Sequence, residues 1–465
     1  MNTPAAAKAT RREWIGLGVI ALPCMLYSMD LTVLNLALPA LAADLEPSAV
    51  ELLWIVDIYG FLVAGALITM GTLGDRIGRR RLLLIGAAVF GVASVLAAFS
   101  ASAEMLLATR ALLGVAGATL APSTFSLIRN MFHDPRERTV AISVWITSYS
   151  AGAAIGPLLG GALLQYFWWG SVFLLAVPVM VLLLVLGPAL LPEYRDPNAG
   201  RIDLASTGLS LFAVLALIFG LKQAAQYGFS ILSLLVILIG TGLAAGFVRR
   251  QARLADPLID LRLFRAPAFS ASLAVYMLGT FVAFGIFVFM TQYLLLVLEM
   301  TPLEAGLWTV PFALGFIAGS TVVPRLVRTL RPADVMAGGL AVAALGFLLI
   351  TQAGRVDGPG LVVAGMVLQS IGIAPVFTLT NDLIMSAAPP ERAGAASGIS
   401  ETSSELGGAL GIALFGSLAT AVYGAALDPS TVAQALKLTA AVSVVLVLAM
   451  AAAVVGLLRP AKAAA

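Results

Sequence analysis

Apolar runs long enough to cross a bilayer alternate with short polar connections along the whole chain. Marking each run between its flanking charges predicts fourteen spans, at 14–38, 50–72, 81–100, 104–128, 139–164, 169–190, 204–222, 229–248, 268–297, 303–324, 333–352, 359–385, 394–424 and 434–458. About 20 apolar residues in a helix traverse the hydrocarbon core. Lipid offers no partner to a backbone amide, so each run is expected to close its own hydrogen bonds as an α-helix. The expected fold is an all-α membrane protein with 14 transmembrane helices.

Composition agrees. The 465 residues are 60% apolar and 11% charged, against roughly 45–50% and 25% in soluble domains. Fourteen spans leave short loops and no separate soluble domain. The cations are placed asymmetrically. Lys8, Arg11 and Arg12, then Arg76, Arg79, Arg80 and Arg81, Arg129, Arg136 and Arg138, Arg195 and Arg201, Arg249, Arg250, Arg253, Arg262 and Arg265, Arg325, Arg328 and Arg331, Arg392, and Arg459 and Lys462 all fall at the N-terminus or in every second connection. Lys222, Arg355 and Lys437 fall on the other side, and Arg110 lies inside a span. By the positive-inside rule both termini are expected to be cytoplasmic. The pI of about 9.1 does not indicate nucleic acid, because these cations are dispersed and form no single patch. Ala40-Leu41-Ala42 resembles a signal-peptidase site, but Asp30 and Asn35 interrupt the run before it, so the first span is expected to be retained. A single Cys24 and a single His133 provide neither a disulfide framework nor a metal site. No cofactor is expected.

A weak repeat divides the chain. Pro135-Arg-Glu137-Arg138-Thr-Val-Ala141-Ile-Ser143 and Pro389-Pro-Glu391-Arg392-Ala-Gly-Ala395-Ala-Ser397 share one pattern, each just before a Gly-rich span. P-x-E-R is also an ordinary loop-to-helix start, but the matched position favours duplication. The expected organisation is a six-helix half over 1–195, an inserted helix pair with its linker over 196–265, and a second six-helix half over 266–465. Duplicated halves are common in secondary transporters.

Five charges lie within spans: Asp30, Asp57, Arg110, Glu401 and Glu405. Each costs roughly 2.5–3.5 kcal/mol at mid-bilayer on insertion scales, so they are expected to face a polar interior and to handle protons and a cationic substrate. Asp30 and Asp57 lie about two turns from the outer ends of their spans, so an aqueous vestibule is the plainer alternative for both. Arg110 is either a hydrogen-bonding hub or part of a proton relay. Glu401 and Glu405, four residues apart, share a helix face. Two close carboxylates in low dielectric do not both ionise cheaply, so one is expected to hold a proton. Asp382 is expected to be interfacial, and Glu299 and Glu304 solvated. Tyr27, Trp54, Tyr59, Trp145 and Tyr149 are expected to line a cavity suited to a flat or quaternary cation. Phe281, Phe284, Phe287 and Phe289 read more simply as lipid-facing filler.

The connection Gly71-Thr-Leu-Gly74-Asp75-Arg76-Ile-Gly78-Arg79-Arg80-Arg81 resembles the loop signature of the major facilitator superfamily. Three further stretches extend the resemblance. Arg110-Ala-Leu-Leu-Gly114-Val-Ala-Gly117 is similar to that family's intramembrane Arg motif. Gly152-Ala-Ala-Ile-Gly156-Pro157-Leu-Leu-Gly160-Gly161 is similar to its antiporter motif. Met29-Asp30-Leu-Thr32-Val-Leu-Asn35-Leu-Ala-Leu-Pro39 is similar to the first-span signature of its fourteen-span drug:proton antiporters. Trp54-Ile-Val-Asp57-Ile-Tyr59 and Glu401-Thr-Ser-Ser-Glu405-Leu-Gly407-Gly408 look most like the quaternary-ammonium efflux pumps. The resemblance implies a cytoplasmic latch built on Gly71, Gly74, Asp75, Arg76, Gly78 and Arg79. It also implies export of lipophilic cationic drugs in exchange for protons, by a monomer in a bacterial inner membrane. One departure is that the span over 303–324 has no acid except Glu304 at its edge, which disfavours divalent bis-cations. The chain lacks a G-x-x-x-x-G-K-[ST] loop, so ATP is not the expected drive. Two other readings are a carrier of neutral or anionic solutes and a membrane enzyme or scaffold. The first would want more intramembrane cations than Arg110, and the second would want His, Cys or metal-ligand clusters.

Overall fold

The computed structural model describes residues 8–195, 203–254, 257–355, 358–423 and 429–458. These form α1 Arg11–Leu45, α2 Ala49–Ile77, α3 Arg79–Ala98, α4 Ala103–Gly117, α5 Leu120–Met131, α6 Pro135–Tyr166, α7 Ser171–Leu174, α8 Ala176–Leu190, α9 Leu204–Tyr227, α10 Ile231–Gln251, α11 Pro267–Gln292, α12 Pro302–Leu326, α13 Pro332–Ile350, α14 Gly360–Ala387, α15 Ala393–Tyr423 and α16 Pro429–Leu458. Among the described residues there is no strand. Thirteen stretches are long and apolar enough to cross a membrane, with α4–α5 and α7–α8 each counting once. The remaining apolar run of the sequence lies in α1, which carries Pro23 and Pro39 within its 35 residues.

Two runs expected as unbroken helices are interrupted, and proline explains both. Pro122 has no N–H for the carbonyl of residue 118, and the chain turns between α4 and α5 at Ala118–Thr119. Pro178 likewise removes the bond to residue 174, where α7 ends and α8 begins. Helix starts follow their sequence signals. Thr10 with Glu13, Ser48 with Glu51 and Thr301 with Glu304 form reciprocal caps. Glu304, expected as a solvated acid, is exposed and accepts the Thr301 amide at 2.9 Å. Asp134 caps α6, accepting from Arg136 and Glu137 amides at 2.7 and 3.2 Å.

The chain divides into two compact units. The first comprises Met1–Leu215, Gly246–Asp260 and Ala388–Thr402, and the second comprises Ala216–Ala245, Leu261–Ala387 and Ser403–Ala465. In the first unit α1 packs along α6, α2 against α4, and α3 against α4 and α8. In the second, α13 packs on α14 and α16, α12 on α14, and α11 on α14 and α16. One packing device recurs in both. Gly152 of α6 lies against the Met25 carbonyl of α1, and Gly411 of α15 lies against the Phe281 carbonyl of α11, with no room for a Cβ at either. In a bilayer, where lipid tails are as apolar as the helices, such close approach is a main source of helix association.

The ends of α9 and α10 are tied at one level. Arg250 Nε meets Asp203 Oδ2 at 2.6 Å. This hydrogen bond, with the Ser206 hydroxyl, holds the Asp203 carboxyl well below the usual carboxylate range. The ionised form belongs to the folded state, so the clasp is intact at neutral pH and lost only as pH falls into strong acid. The buried Gln251 amide donates to Ser206 Oγ at 2.7 Å and accepts from Leu258 N at 2.7 Å. Leu258 O in turn accepts from Thr72 Oγ1 of α2 at 3.3 Å, and Pro257 O from Arg392 Nη1 at 3.3 Å. The segment after α10 is thereby bonded to α2 and to Arg392, just before α15.

Gly152→Val is expected to force α1 from α6 and to cost about 1–3 kcal/mol, the range for overpacking a tight contact. Gly161→Val, at a position with open space around it, is expected to be silent. Thermal unfolding of the two purified variants in one detergent makes the comparison.

Candidate functional site

The turn between α2 and α3 is built around one buried carboxylate. Asp75 is 3% exposed and accepts the Gly394 and Ala395 amides, each at 2.9 Å, one on each oxygen. Those amides are orphan donors at the N-terminus of α15, where the helix dipole also favours an anion. Arg79, fully buried, donates Nε to Asp75 Oδ1 at 3.0 Å, with Nη2 at 2.8 Å. The Arg79 guanidinium lies 4.8 Å from the Tyr194 ring centroid. Gly71 faces the Gly394 carbonyl with no room for a side chain, and Gly398 lies over Leu67 O. Gly78 adopts φ +112°, a conformation a side chain resists. A Cβ there would also stand 2.6 Å from Glu193 Oε1. Glu193 accepts the Arg80 and Arg81 amides at 3.1 Å each, so it caps α3 as Asp75 caps α15. Arg76 and Gly74 lie on the same turn of α2, and a side chain at Gly74 would come within 3.3 Å of Leu82.

The second feature lies inside the first unit. Arg110 of α4, 1% exposed, donates Nη1 to Asp30 Oδ2 of α1 at 2.6 Å. Its Nε donates to Ile55 O at 3.2 Å. Its guanidinium lies 4.7 Å from the Tyr59 ring centroid and 5.8 Å from that of Phe173. Arg110 thus has a carbonyl and two aromatic faces besides its carboxylate. Asp30 keeps 15% of its side chain exposed. Next to this pair runs an aromatic chain. Tyr59 meets Tyr27 at 5.9 Å, Tyr27 meets Tyr149 at 5.8 Å, and Tyr149 meets Trp145 at 4.9 Å between centroids. Trp145 Nε1 donates to Thr124 Oγ1 at 3.0 Å, and Thr124 sits 3.5 Å from Cys24 Sγ. Glu401 of α15 is close enough to Cys24 and Tyr149 to act on both by its charge. Its Oε1 is buried.

Four of the five predicted aromatics therefore form one chain beside the ion pair. Trp54 packs on Phe61 of its own helix at 5.8 Å. Asp57 is half-buried, two residues past Ile55. Glu405, also half-buried, follows Glu401 by one turn of α15 and belongs to the second unit. Asp382 is half-buried near the end of α14. Of the antiporter motif, Gly152 and Gly160 face Met25 and Val33 of α1, Gly156 is buried, and Gly161 faces open space. Phe284 is 52% exposed, whereas Phe289 is 8% exposed and belongs to the core of the second unit. The side chains of Thr32, Asn35 and Pro157, together with residues Arg201, Arg459 and Lys462, lie outside the described residues. Sequence reasoning missed Glu193, Tyr194, Thr124 and Phe173. Each is an ordinary residue type whose role comes from a partner on another helix; only the Glu193–Tyr194 pair, polar and directly after an apolar span, offered a signal.

A buried ion pair inside a many-span helical bundle, with a helix-capping latch at one turn, marks the transporter class of membrane proteins. A sequence profile of the Major Facilitator Superfamily matches residues 20–412, and the chain belongs to that family. It is 45% identical to the multidrug efflux pump LfrA of Mycolicibacterium smegmatis, over 92% of this chain and 85% of that protein. It is 35% identical to the methyl viologen resistance protein SmvA of Salmonella typhimurium, over 90% of this chain and 84% of that one. The crystal structure of the human organic anion transporter MFSD10 (TETRAN) shares the fold, with a TM-score of 0.68 at 18% identity over 94% of this chain and 99% of that one.

Breaking a buried pair from one side costs about 3–5 kcal/mol, so Asp30→Leu is expected to lower stability by that order and Arg110→Met, Asp30→Leu together to recover most of it. A double-mutant cycle on thermal unfolding reads this out. Ser397, fully buried near the latch, reports on the turn: in a Ser397→Cys background, Asp75→Asn is expected to speed thiol labelling by roughly tenfold, the equivalent of 1.4 kcal/mol.

Proposed function

We propose that the chain is a proton-coupled efflux antiporter that exports lipophilic monovalent cations, quaternary ammonium compounds and dyes among them. The observation that carries this is the Asp30–Arg110 pair, partly exposed on its acidic side and flanked by an aromatic chain that leads toward Glu401. Aromatic faces attract a desolvated cation by about 2 kcal/mol or more. Nearby carboxylates give it a counter-charge, and they are the groups a proton neutralises when the cation leaves. Protonating Asp30 removes the ionic partner of Arg110, yet the guanidinium keeps Ile55 O and the Tyr59 ring. The interior therefore holds two charge states without stranding a bare cation. An anionic cargo fits poorly, since the Arg110 charge is already answered by Asp30. The efflux pump and resistance protein among the relatives support the same direction of transport.

In this reading fourteen spans, α1 included, form two six-helix halves with an inserted pair, and the protein works as a monomer in the bacterial inner membrane. Both termini are cytoplasmic. The Asp75 latch then closes the cytoplasmic end and must release α15 in each cycle. Glu401 and Glu405 hold one proton between them in the absence of cargo. Exchange of one proton for one monocation moves no net charge; a second proton would add about 2.3 kcal/mol per 100 mV. The Asp203–Arg250 clasp is ionised throughout the neutral range, so it is not a source of pH-dependent transport.

Proteoliposomes with an imposed pH gradient are expected to move ethidium or a tetraalkylammonium ion against its gradient, and a protonophore to abolish the movement. Movement that needs ATP, or none with any cation, overturns the reading. Glu405→Gln and Asp30→Asn are each expected to lower gradient-driven movement by roughly tenfold or more in folded protein; unmutated transport in both would remove the acids from the mechanism.

A further inference from the structure

Asp30 also borders a second space. A narrow crevice of about 20 Å³, room for about one water, lies between α1, α3 and the α7–α8 pair. Leu26, Asp30, Phe90, Ser94, Phe173 and Ala176 are among its walls, and apart from Asp30 and Ser94 the lining is apolar. On α1 the lining residues Leu26, Met29, Asp30, Val33 and Leu34 recur at helical spacing and form one stripe. Tyr27, which begins the aromatic chain, lies on the adjoining face. Asp30 therefore stands at the border between the crevice and the aromatic chain. Phe173 lines the crevice and lies against the Arg110 guanidinium, so it forms a wall between the cation and this space.

We propose that this crevice is a proton entrance separate from the path of the cargo. It rests on the proton-coupled reading above. A crevice with room for about one water excludes a bulky organic cation but admits water, which needs polar partners to stay. The Asp30 carboxylate and the Ser94 hydroxyl supply them. A hydronium ion entering there gives its proton to the Asp30 carboxylate and leaves as water. The Asp30–Arg110 ion pair becomes a hydrogen bond from a cation to a neutral acid, and Arg110 keeps its own proton. Among the described residues Arg110 of α4 pairs with Asp30, Tyr59 of α2 lies against the Arg110 guanidinium, and Tyr27 and Tyr149 continue the aromatic chain from Tyr59. The crevice walls from α3, α7 and α8 carry no charge. Ser94 is four residues from the C-terminal end of α3, and Ala176 opens α8, so the entrance lies toward the end of the unit that carries the turn from α1 to α2. On the topology proposed above, that is the outer face, where the proton concentration is higher.

The test uses the full chain in oriented proteoliposomes. Ser94→Cys, at a position 1% exposed, is expected to react with silver ion, a thiol reagent about the size of a water molecule, at least ten times faster than the unmutated protein, whose single Cys24 is buried. The reaction is expected only from the face bearing the α1–α2 turn, and saturating ethidium is expected to leave its rate unchanged. Ala176→Phe, which fills the crevice, is expected to slow gradient-driven ethidium movement about tenfold while ethidium–ethidium counterflow stays within about twofold. Labelling at the background rate, labelling blocked by ethidium, or an equal loss of counterflow overturns the separate entrance. Because labelling needs no turnover, it decides the matter even where Ala176→Phe does not fold. If the unmutated protein moves ethidium but ignores the pH gradient, the coupling itself falls; if coupling holds and labelling fails, only this route falls.

Discussion

A guanidinium inside an apolar helix bundle must be answered by other groups, and much of the first unit is arranged around that requirement. Arg110 is almost wholly buried and carries a charge that no neighbouring group can remove. One carboxylate, one backbone carbonyl and two aromatic rings answer it from α1, α2 and α7. The number of partners matters as much as their identity. A single ion pair would lock both residues together, because losing either partner leaves a buried charge exposed to low dielectric. With a carbonyl and ring faces in reserve, the carboxylate can change its protonation state while the cation stays in place.

The same logic governs the turn between α2 and α3, with the roles reversed. There the buried anion is Asp75, and its partners are the amides at the start of α15 together with Arg79. These amides point outward from the helix end and have no partners of their own within it. The carboxylate thus satisfies two orphan donors and a cation at once, and glycines at 71, 394 and 398 let the backbones come close enough for it to do so. The contact is made of groups that water also satisfies well. Glu193 at the start of α3 and the Leu258 bond to Thr72 extend the contact sideways to the segment after α10.

Close approach between helices is the other constraint. Gly152 against Met25 and Gly411 against Phe281 place backbone on backbone in the two units. The two copies of the P-x-E-R pattern start their helices differently. The first is capped by its own Asp134, and the second by Asp75 from a distant helix. Local sequence shows Ala388 where the first copy has Asp134, but not which residue replaces that cap, since Asp75 lies 319 residues away along the chain.

The helices themselves were readable from the chain because a bilayer permits few alternatives: a run of some 20 apolar residues has only its own backbone to bond to. The exceptions were also local, for Pro122 and Pro178 break α4–α5 and α7–α8 where their missing amides require. Intramembrane charge made Asp30, Asp57, Arg110, Glu401 and Glu405 too costly to face lipid. Which of these charges meet was not readable. Asp30 and Arg110 are 80 residues apart, and only the tertiary arrangement, which brings α1 within reach of the Arg110 side chain, makes them a pair. Sequence alone determined what each segment must be and which residues are too expensive to face lipid, because those are one-dimensional costs. Tertiary structure decided which charges share a partner, which aromatic rings join them and where a crevice reaches an acid, because those depend on distances between segments that the order of residues does not contain.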